Sequence, residues 1–170
     1  MRRSFGVALL VALVCSAANA RDASATVHQT FSGQFCQGND AGDRANVLYG
    51  GYGTFNDSNS SFIDLTCPIS WQGDHEGVDP DWVYVYYYDR NSSTNVSCTV
   101  KMLENVYAMY STSTQTSSGS SSDTQSFSFD VSGYQDGDDD LIDFSIDCDI
   151  PAVSGDYSGI GYYRVAATGW

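Results

Sequence analysis

Trp82-Val83-Tyr84-Val85-Tyr86-Tyr87-Tyr88 is the stretch that decides the fold. In an extended chain, successive side chains point to opposite faces of the sheet. Val83, Val85 and Tyr87 therefore share one face, and Trp82, Tyr84, Tyr86 and Tyr88 share the other. Both sets are apolar, which reads as a central strand covered on each side. Asn91-Ser92-Ser93-Thr94-Asn95 follows as a turn, and Val96-Ser97-Cys98-Thr99-Val100 alternates again. That pattern predicts a hairpin.

The same period of two runs through the rest of the chain, and helical periodicity is nearly absent. Further strands are expected at Thr26 to Phe35, Ser61 to Ile69, Gln125 to Val131, Asp140 to Asp149 and Ile160 to Ala166. Between Asp140 and Asp149, Ile142, Phe144, Ile146 and Cys148 face one way, and Asp143, Ser145, Asp147 and Asp149 face the other. This is a half-buried strand with an acidic outer face. Lys101 to Tyr110 is ambiguous in spacing, but Val106, Tyr107 and Tyr110 favour a continuing strand. Residues 111–126 are almost entirely Ser, Thr, Gln and Gly, and read as one long flexible loop. Tyr49-Gly50-Gly51-Tyr52-Gly53 reads as a bend or bulge. The expected fold is all-β: an antiparallel β-sandwich of about seven to eight strands. The order Cys67, Trp82, Cys148 is that of immunoglobulin domains. Ile146 stands where their tyrosine corner has Tyr, so the finer assignment is not made.

Met1-Arg2-Arg3, an apolar stretch from Phe5 to Val14 and the small-x-small Ala18-Asn19-Ala20 together read as a secretory signal, residues 1–20. Lipidation at Cys15 would want a small residue before it, and Val14 stands there. Residues 21–170 then form one domain, exported to the extracellular space or periplasm. Of the chain's seven basic residues, Arg2 and Arg3 leave with the signal, so five remain against 21 acidic ones. A chain so acidic has no basic face for nucleic acid or anionic lipid. No apolar run after the signal is long enough to span a bilayer.

Export gives the four remaining cysteines a meaning. Cys36, Cys67, Cys98 and Cys148 are spaced by 31, 31 and 50 residues, without a close pair of the kind zinc sites use. Two disulfides are expected. Three connectivities are open, and Cys36–Cys67 with Cys98–Cys148 is favoured because each joins two strands.

Three groups of residues are candidate sites. Tyr84, Tyr86 and Tyr88 would make a platform on which sugar rings stack, since a tyrosine ring offers flat apolar area and a hydroxyl. The competing role is packing under a second sheet or in cross-strand pairs. Asp136, Asp138 and Asp140 cluster in a turn and are candidate calcium ligands. An EF-hand is excluded, because Leu141 occupies the position that needs glycine and no helices flank the turn. Asp74-His75-Glu76 invites a metal or acid–base role. Three consecutive residues of an extended chain do not converge, so a polar loop is the better reading. Oxidised cysteines are not nucleophiles, and there is no Gly-x-Ser-x-Gly elbow. No catalytic residue is assigned. Four Asn-x-Ser sequons, at Asn56, Asn59, Asn91 and Asn95, carry little weight in so serine-rich a chain.

Cys67-Pro68-Ile69, Val83-Tyr84-Val85 leading to Asp89-Arg90-Asn91, Val96-Ser97-Cys98 and Cys148-Asp149-Ile150-Pro151 form a series of short motifs. In these the chain resembles a loose group of uncharacterised small secreted bacterial proteins. The resemblance implies a disulfide-stapled β domain and a bacterial source, and it carries no activity. Within it, Arg90 reads as a salt-bridge or turn-locking residue. The whole favours a secreted, non-enzymatic binding or surface-associated module. Its expected partner is an extracellular carbohydrate or surface protein, assisted by calcium if the aspartate turn binds it. The alternatives are a structural, envelope-associated protein and a small secreted hydrolase.

Overall fold

The computed structural model describes residues 26–71, 80–104, 108–134 and 142–168. The signal at 1–20, the Asp74-His75-Glu76 cluster and the Asp136, Asp138, Asp140 turn lie outside the described residues. The described chain folds into two antiparallel sheets packed face to face, as the alternation requires. One sheet contains β1 (Thr26–Ser32), β3 (Val47–Gly50), β4 (Gly53–Asn56), β6 (Trp82–Tyr88), β10 (Gln125–Asp130) and β12 (Gly159–Thr168). The other contains β2 (Gln37–Gly38), β5 (Ile63–Ile69), β7 (Ser97–Glu104), β8 (Ala108–Ser111), β9 (Gln115–Thr116) and β11 (Ile142–Ile150). A five-residue helix, α1 (Ala41–Ala45), is capped by the Asp40 carboxylate, which accepts from the amides of Gly42 and Asp43.

The inner faces bury what the period of two assigns to them. Val83, Val85 and Tyr87 of β6 meet Ile63, Leu65, Val100 and Ile146 of the opposite sheet in one core. Both disulfides have the favoured connectivity, Cys36–Cys67 and Cys98–Cys148. Cys98 and Cys148 are direct register partners on β7 and β11. Closing a loop of 50 residues is worth about 4 kcal/mol in the chain-entropy model. Polar groups tie the sheets together at both ends. Tyr163 of β12, fully buried, donates its hydroxyl proton to the Pro68 carbonyl of β5. Asn56 of β4, also fully buried, donates to the Ile150 carbonyl of β11 at 3.0 Å.

Four expectations are corrected. β6 and β7 are not a hairpin: β6 pairs with β10 and β12, and β7 lies in the other sheet. The turn between them is a crossing held by side chains. The buried Asp89 carboxylate accepts from the Asn91 amide and the Ser117 hydroxyl, and Asn91 donates to the Ala152 carbonyl. β6 is also not covered twice, for its outward residues are half-buried or exposed. Lys101 to Tyr110 is not one strand, because β7 and β8 pair with each other. Finally, residues 111–126 are not a bare loop: they hold the end of β8, all of β9 and the start of β10. There Ser117 is buried, and its amide donates to the Val96 carbonyl at 2.9 Å.

β12 is the hub of its sheet. β6 lies along one edge, and β1 and β4 share the other. Its register with β6 skips one residue: Ile160 is opposite Tyr87, and Tyr162 is opposite Tyr86. Gly161 is the extra residue of this β-bulge. The bulge is pressed from the other side by two glycines. A Cβ on Gly53 would come within 2.0 Å of the Ile160 carbonyl oxygen, and one on Gly33 within 2.2 Å. Gly53 also has φ +149°, a conformation that other residues rarely adopt. Gly53→Ala is therefore expected to cost roughly 2–4 kcal/mol in urea unfolding, from backbone strain and overpacking together. Gly51→Ala, in the same hairpin and facing open space, should be near neutral. Equal stability of the two variants would contradict the tight packing of the bulge.

Candidate functional site

The outer face of the first sheet is built in rows, because register partners in antiparallel strands share a face. Trp82 stands level with Asp130 of β10, Ala166 of β12 and His28 of β1. Tyr84 stands level with Ser128, Arg164 and Thr30. Tyr86 stands level with Ser126, Tyr162 and Ser32. Tyr88 stands level with Gly159, Phe55 and Leu48. The three tyrosines expected to form a platform, Tyr84, Tyr86 and Tyr88, thus lie together on one outward face.

These rings hold one another. Tyr86 and Tyr162 stack with centroids 4.1 Å apart and planes within 14°. Trp82 and Tyr84 are near parallel at 6.3 Å, and Phe55 tilts against Tyr88 at 5.9 Å. The Arg164 guanidinium lies over the Tyr84 ring, 5.0 Å from its centroid. Such a cation–π contact contributes about 0.5–1 kcal/mol at an exposed site and fixes the ring. The cross-strand pairing that competes with a binding role is therefore real, yet it does not consume the face. Trp82 and Tyr162 remain 38% and 39% exposed. A surface of this kind presents flat apolar rings with hydroxyls at their edges, which suits the alternating C–H and O–H surfaces of a sugar.

Tyr162, Arg164, Phe55 and Leu48 were not picked out by the sequence. A strand over Ile160 to Ala166 was expected there, but simple alternation puts Ile160, Tyr162 and Arg164 on one face. The bulge at Gly161 breaks that phase. Ile160, Tyr163 and Val165 point inward, and Tyr162 and Arg164 join the tyrosines of β6. Among the described residues, Tyr87 and Tyr163 are the tyrosines buried between the sheets. Burial pushes the Tyr163 hydroxyl far up. Burial raises Tyr87 as well, with help from the negative charge of Asp89.

Beside Tyr88 the face runs into a groove of about 300 Å³, lined by Leu48, Tyr52, Phe55, Tyr88, Arg90, Asp156 and Tyr157. Arg90 pairs loosely with Asp156, at 4.0 Å.

The outer face of the second sheet is different in kind. A groove of about 320 Å³ there is lined by Asp64, Asp147, Asp149, Ser97, Thr99 and Lys101, among other polar residues. Lys101 pairs with Asp147, Thr66 donates to Asp147 and Ser97 donates to Asp149. Asp64 and Asp149 are register partners on adjacent strands, so they stand side by side. Glycosidases set two carboxylates on opposite sides of a bound sugar, which this arrangement does not do. Among the described residues, no group of three or more metal-ligating side chains comes together. Two of the four sequon asparagines are structural, since Asn56 and Asn91 are buried and donate to backbone carbonyls.

No family model matches the chain, and no curated protein does either. Among solved structures, the chain is similar to the xylan-binding module CBM15, with a TM-score of 0.55 at 8% identity, over 85% of this chain and 99% of that one. Weaker likenesses are to TmCBM61 in complex with beta-1,4-galactotriose (TM-score 0.36, 10% identity, 83% and 84% covered) and to a CBM4 (0.34, 15%, 83% and 85%). The first likeness agrees with the β-sandwich fold.

Asp64 gives a pH prediction. Burial of its carboxyl, then the hydrogen bond and charge of Asp149, then the charges of Asp43 and Asp40, raise it above its ordinary value of 3.8. A carboxyl raised in the folded state opposes folding once it ionises. The penalty is absent below pH 3.8 and complete above the raised value. Asp64→Asn should therefore be more stable than wild type at pH 7, and the advantage should vanish as the pH falls below 3.8. A stability difference that stays constant across that range would contradict an Asp64 carboxyl raised by burial and by Asp149.

Proposed function

We propose that this protein is a secreted, non-catalytic carbohydrate-binding module, and that the outer face of the β6–β12 sheet is its binding surface. The carrying observation is the stacked, outward row of Trp82, Tyr84, Tyr86 and Tyr162 leading to Tyr88. Aromatic rings left exposed together on one face call for a partner. A polysaccharide supplies one, because its pyranose faces are apolar and its edges are polar. The likeness of fold to a xylan-binding module supports the same reading. So does the charge of −14, which disfavours acidic polymers and leaves neutral ones. The acidic face of the second sheet keeps the protein soluble and turns away from the polymer.

The test is retention of the purified chain on insoluble neutral polysaccharides, with xylan and cellulose first. Tyr86→Ala and Tyr162→Ala should each lower affinity about tenfold or more, as hot-spot aromatics do, while costing no more stability than the lost cross-strand stack, about 1 kcal/mol. Retention that survives both substitutions would overturn the assignment of this face. The same panel with calcium and with chelator reads the aspartate turn: loss on chelation would give Asp136, Asp138 and Asp140 a role.

A further inference from the structure

The groove beside Tyr88 has a different chemistry from the flat row that leads to it. Its walls are aromatic and aliphatic: Leu48, Phe55, Tyr88, Tyr52 and Tyr157. Tyr52 is 82% exposed and Tyr157 40%, although neither belongs to the strand pair that forms the flat face. Large rings left so open on a chain that buries Tyr87 and Tyr163 are not there for the core. Two polar groups are added, Arg90 and Asp156. They are 4.0 Å apart, at the limit of an ion pair, and their side chains are 26% and 64% exposed. The main chain holds the Asp156 carboxylate and anchors the backbone from which Arg90 extends. The Arg90 amide donates to the Ser158 hydroxyl at 2.9 Å, and the Tyr157 amide donates to the Asp156 carboxylate at 2.8 Å.

A guanidinium only donates hydrogen bonds, and a carboxylate only accepts them. Set side by side they carry no net charge, and so do not select an ion. They match a group that accepts at one atom and donates at its neighbour. Two adjacent hydroxyls of a sugar are such a group, and the ring that carries them fits aromatic walls. The geometry points to a second subsite here: the groove takes one further neutral sugar unit of the polymer lying on the flat face, with its vicinal diol on Arg90 and Asp156. The continuity is physical, since Phe55 and Tyr88 belong both to the groove and to the outward row. This inference rests on the proposed carbohydrate-binding reading. It adds that the site has direction, with a flat end at Trp82 and an enclosing end at Tyr88.

The test is a calorimetric ladder of xylo- and cello-oligosaccharides from disaccharide to hexasaccharide. It compares wild type, the double variant Tyr52→Ala/Tyr157→Ala, and Arg90→Gln/Asp156→Asn. For wild type, affinity rises with length and gains a last step when the groove is filled. Both double variants should bind short fragments as wild type does and lose that step, about tenfold in affinity. Oligogalacturonides, which carry carboxylates, should bind more weakly than the neutral ladder. An unchanged ladder in the variants, with Tyr86→Ala still lowering affinity about tenfold, would overturn the groove and leave the flat face standing. Tighter binding of the carboxylated ladder would overturn the neutral diol. No binding of any ladder by wild type would overturn the carbohydrate reading itself.

Discussion

One inserted residue in β12 governs the rest of the molecule. Side chains along a strand alternate strictly, so a single extra residue exchanges the faces of everything beyond it. Gly161 is that residue. Ile160 on one side of it and Tyr163 and Val165 on the other all reach the core. Tyr162 and Arg164 are thereby delivered to the outer face, beside Tyr86 and Tyr84. Were the strand regular, Arg164 would share a face with Ile160 and be driven into an apolar interior, at a cost no unpaired cation sustains. The bulge is held because Gly33 and Gly53 let two other backbone segments press against the Ile160 carbonyl. The hydrogen bond from Tyr163 to Pro68 then locks this phase to the opposite sheet.

The two outer faces divide the chemistry between them. The β6–β12 face gathers the aromatic rings and holds Arg164, with Arg90 at its edge. The β5–β11–β7 face gathers Asp64, Asp147 and Asp149 with Lys101. A strongly acidic chain thus keeps much of its surface acid away from its aromatic row. On the first face Ser32, Ser126, Ser128 and Thr30 flank the rings, and Asp130 and His28 stand level with Trp82. Such a surface offers flat apolar rings bordered by hydroxyls.

What the sequence made legible is what depends on local alternation. β6 declares both of its faces within seven residues, and β11 sets Phe144, Ile146 and Cys148 against Asp143, Asp147 and Asp149. Hence the sandwich, most of its long strands and the shared face of Tyr84, Tyr86 and Tyr88 were readable, but not that this face lies uncovered. The pairing of the four cysteines was readable as a preference, because each bridge had strands to join. The rest depends on contacts distant in sequence. Nothing near Gly161 announces a bulge, since its cause lies at Gly33 and Gly53. Nothing in residues 111–126 announces that Ser117 is buried, since its partner is Asp89, 28 residues away. Composition alone assigns such a segment to solvent, and one buried carboxylate is enough to overrule it. The same limit hid the groove, whose lining comes from β3, β4, β6 and the turn before β12.

The central claim is that ligand lies on the β6–β12 face, and hydroxyl-radical footprinting of the tyrosines tests it most directly. The probe is a xylo- or cello-oligosaccharide long enough to cover the row, added to the intact chain. The account predicts protection of Tyr84, Tyr86, Tyr88 and Tyr162, with Tyr110 on the opposite sheet labelled as before. Labelling of Tyr86 and Tyr162 left unchanged by a bound oligosaccharide would place the ligand elsewhere and contradict the account.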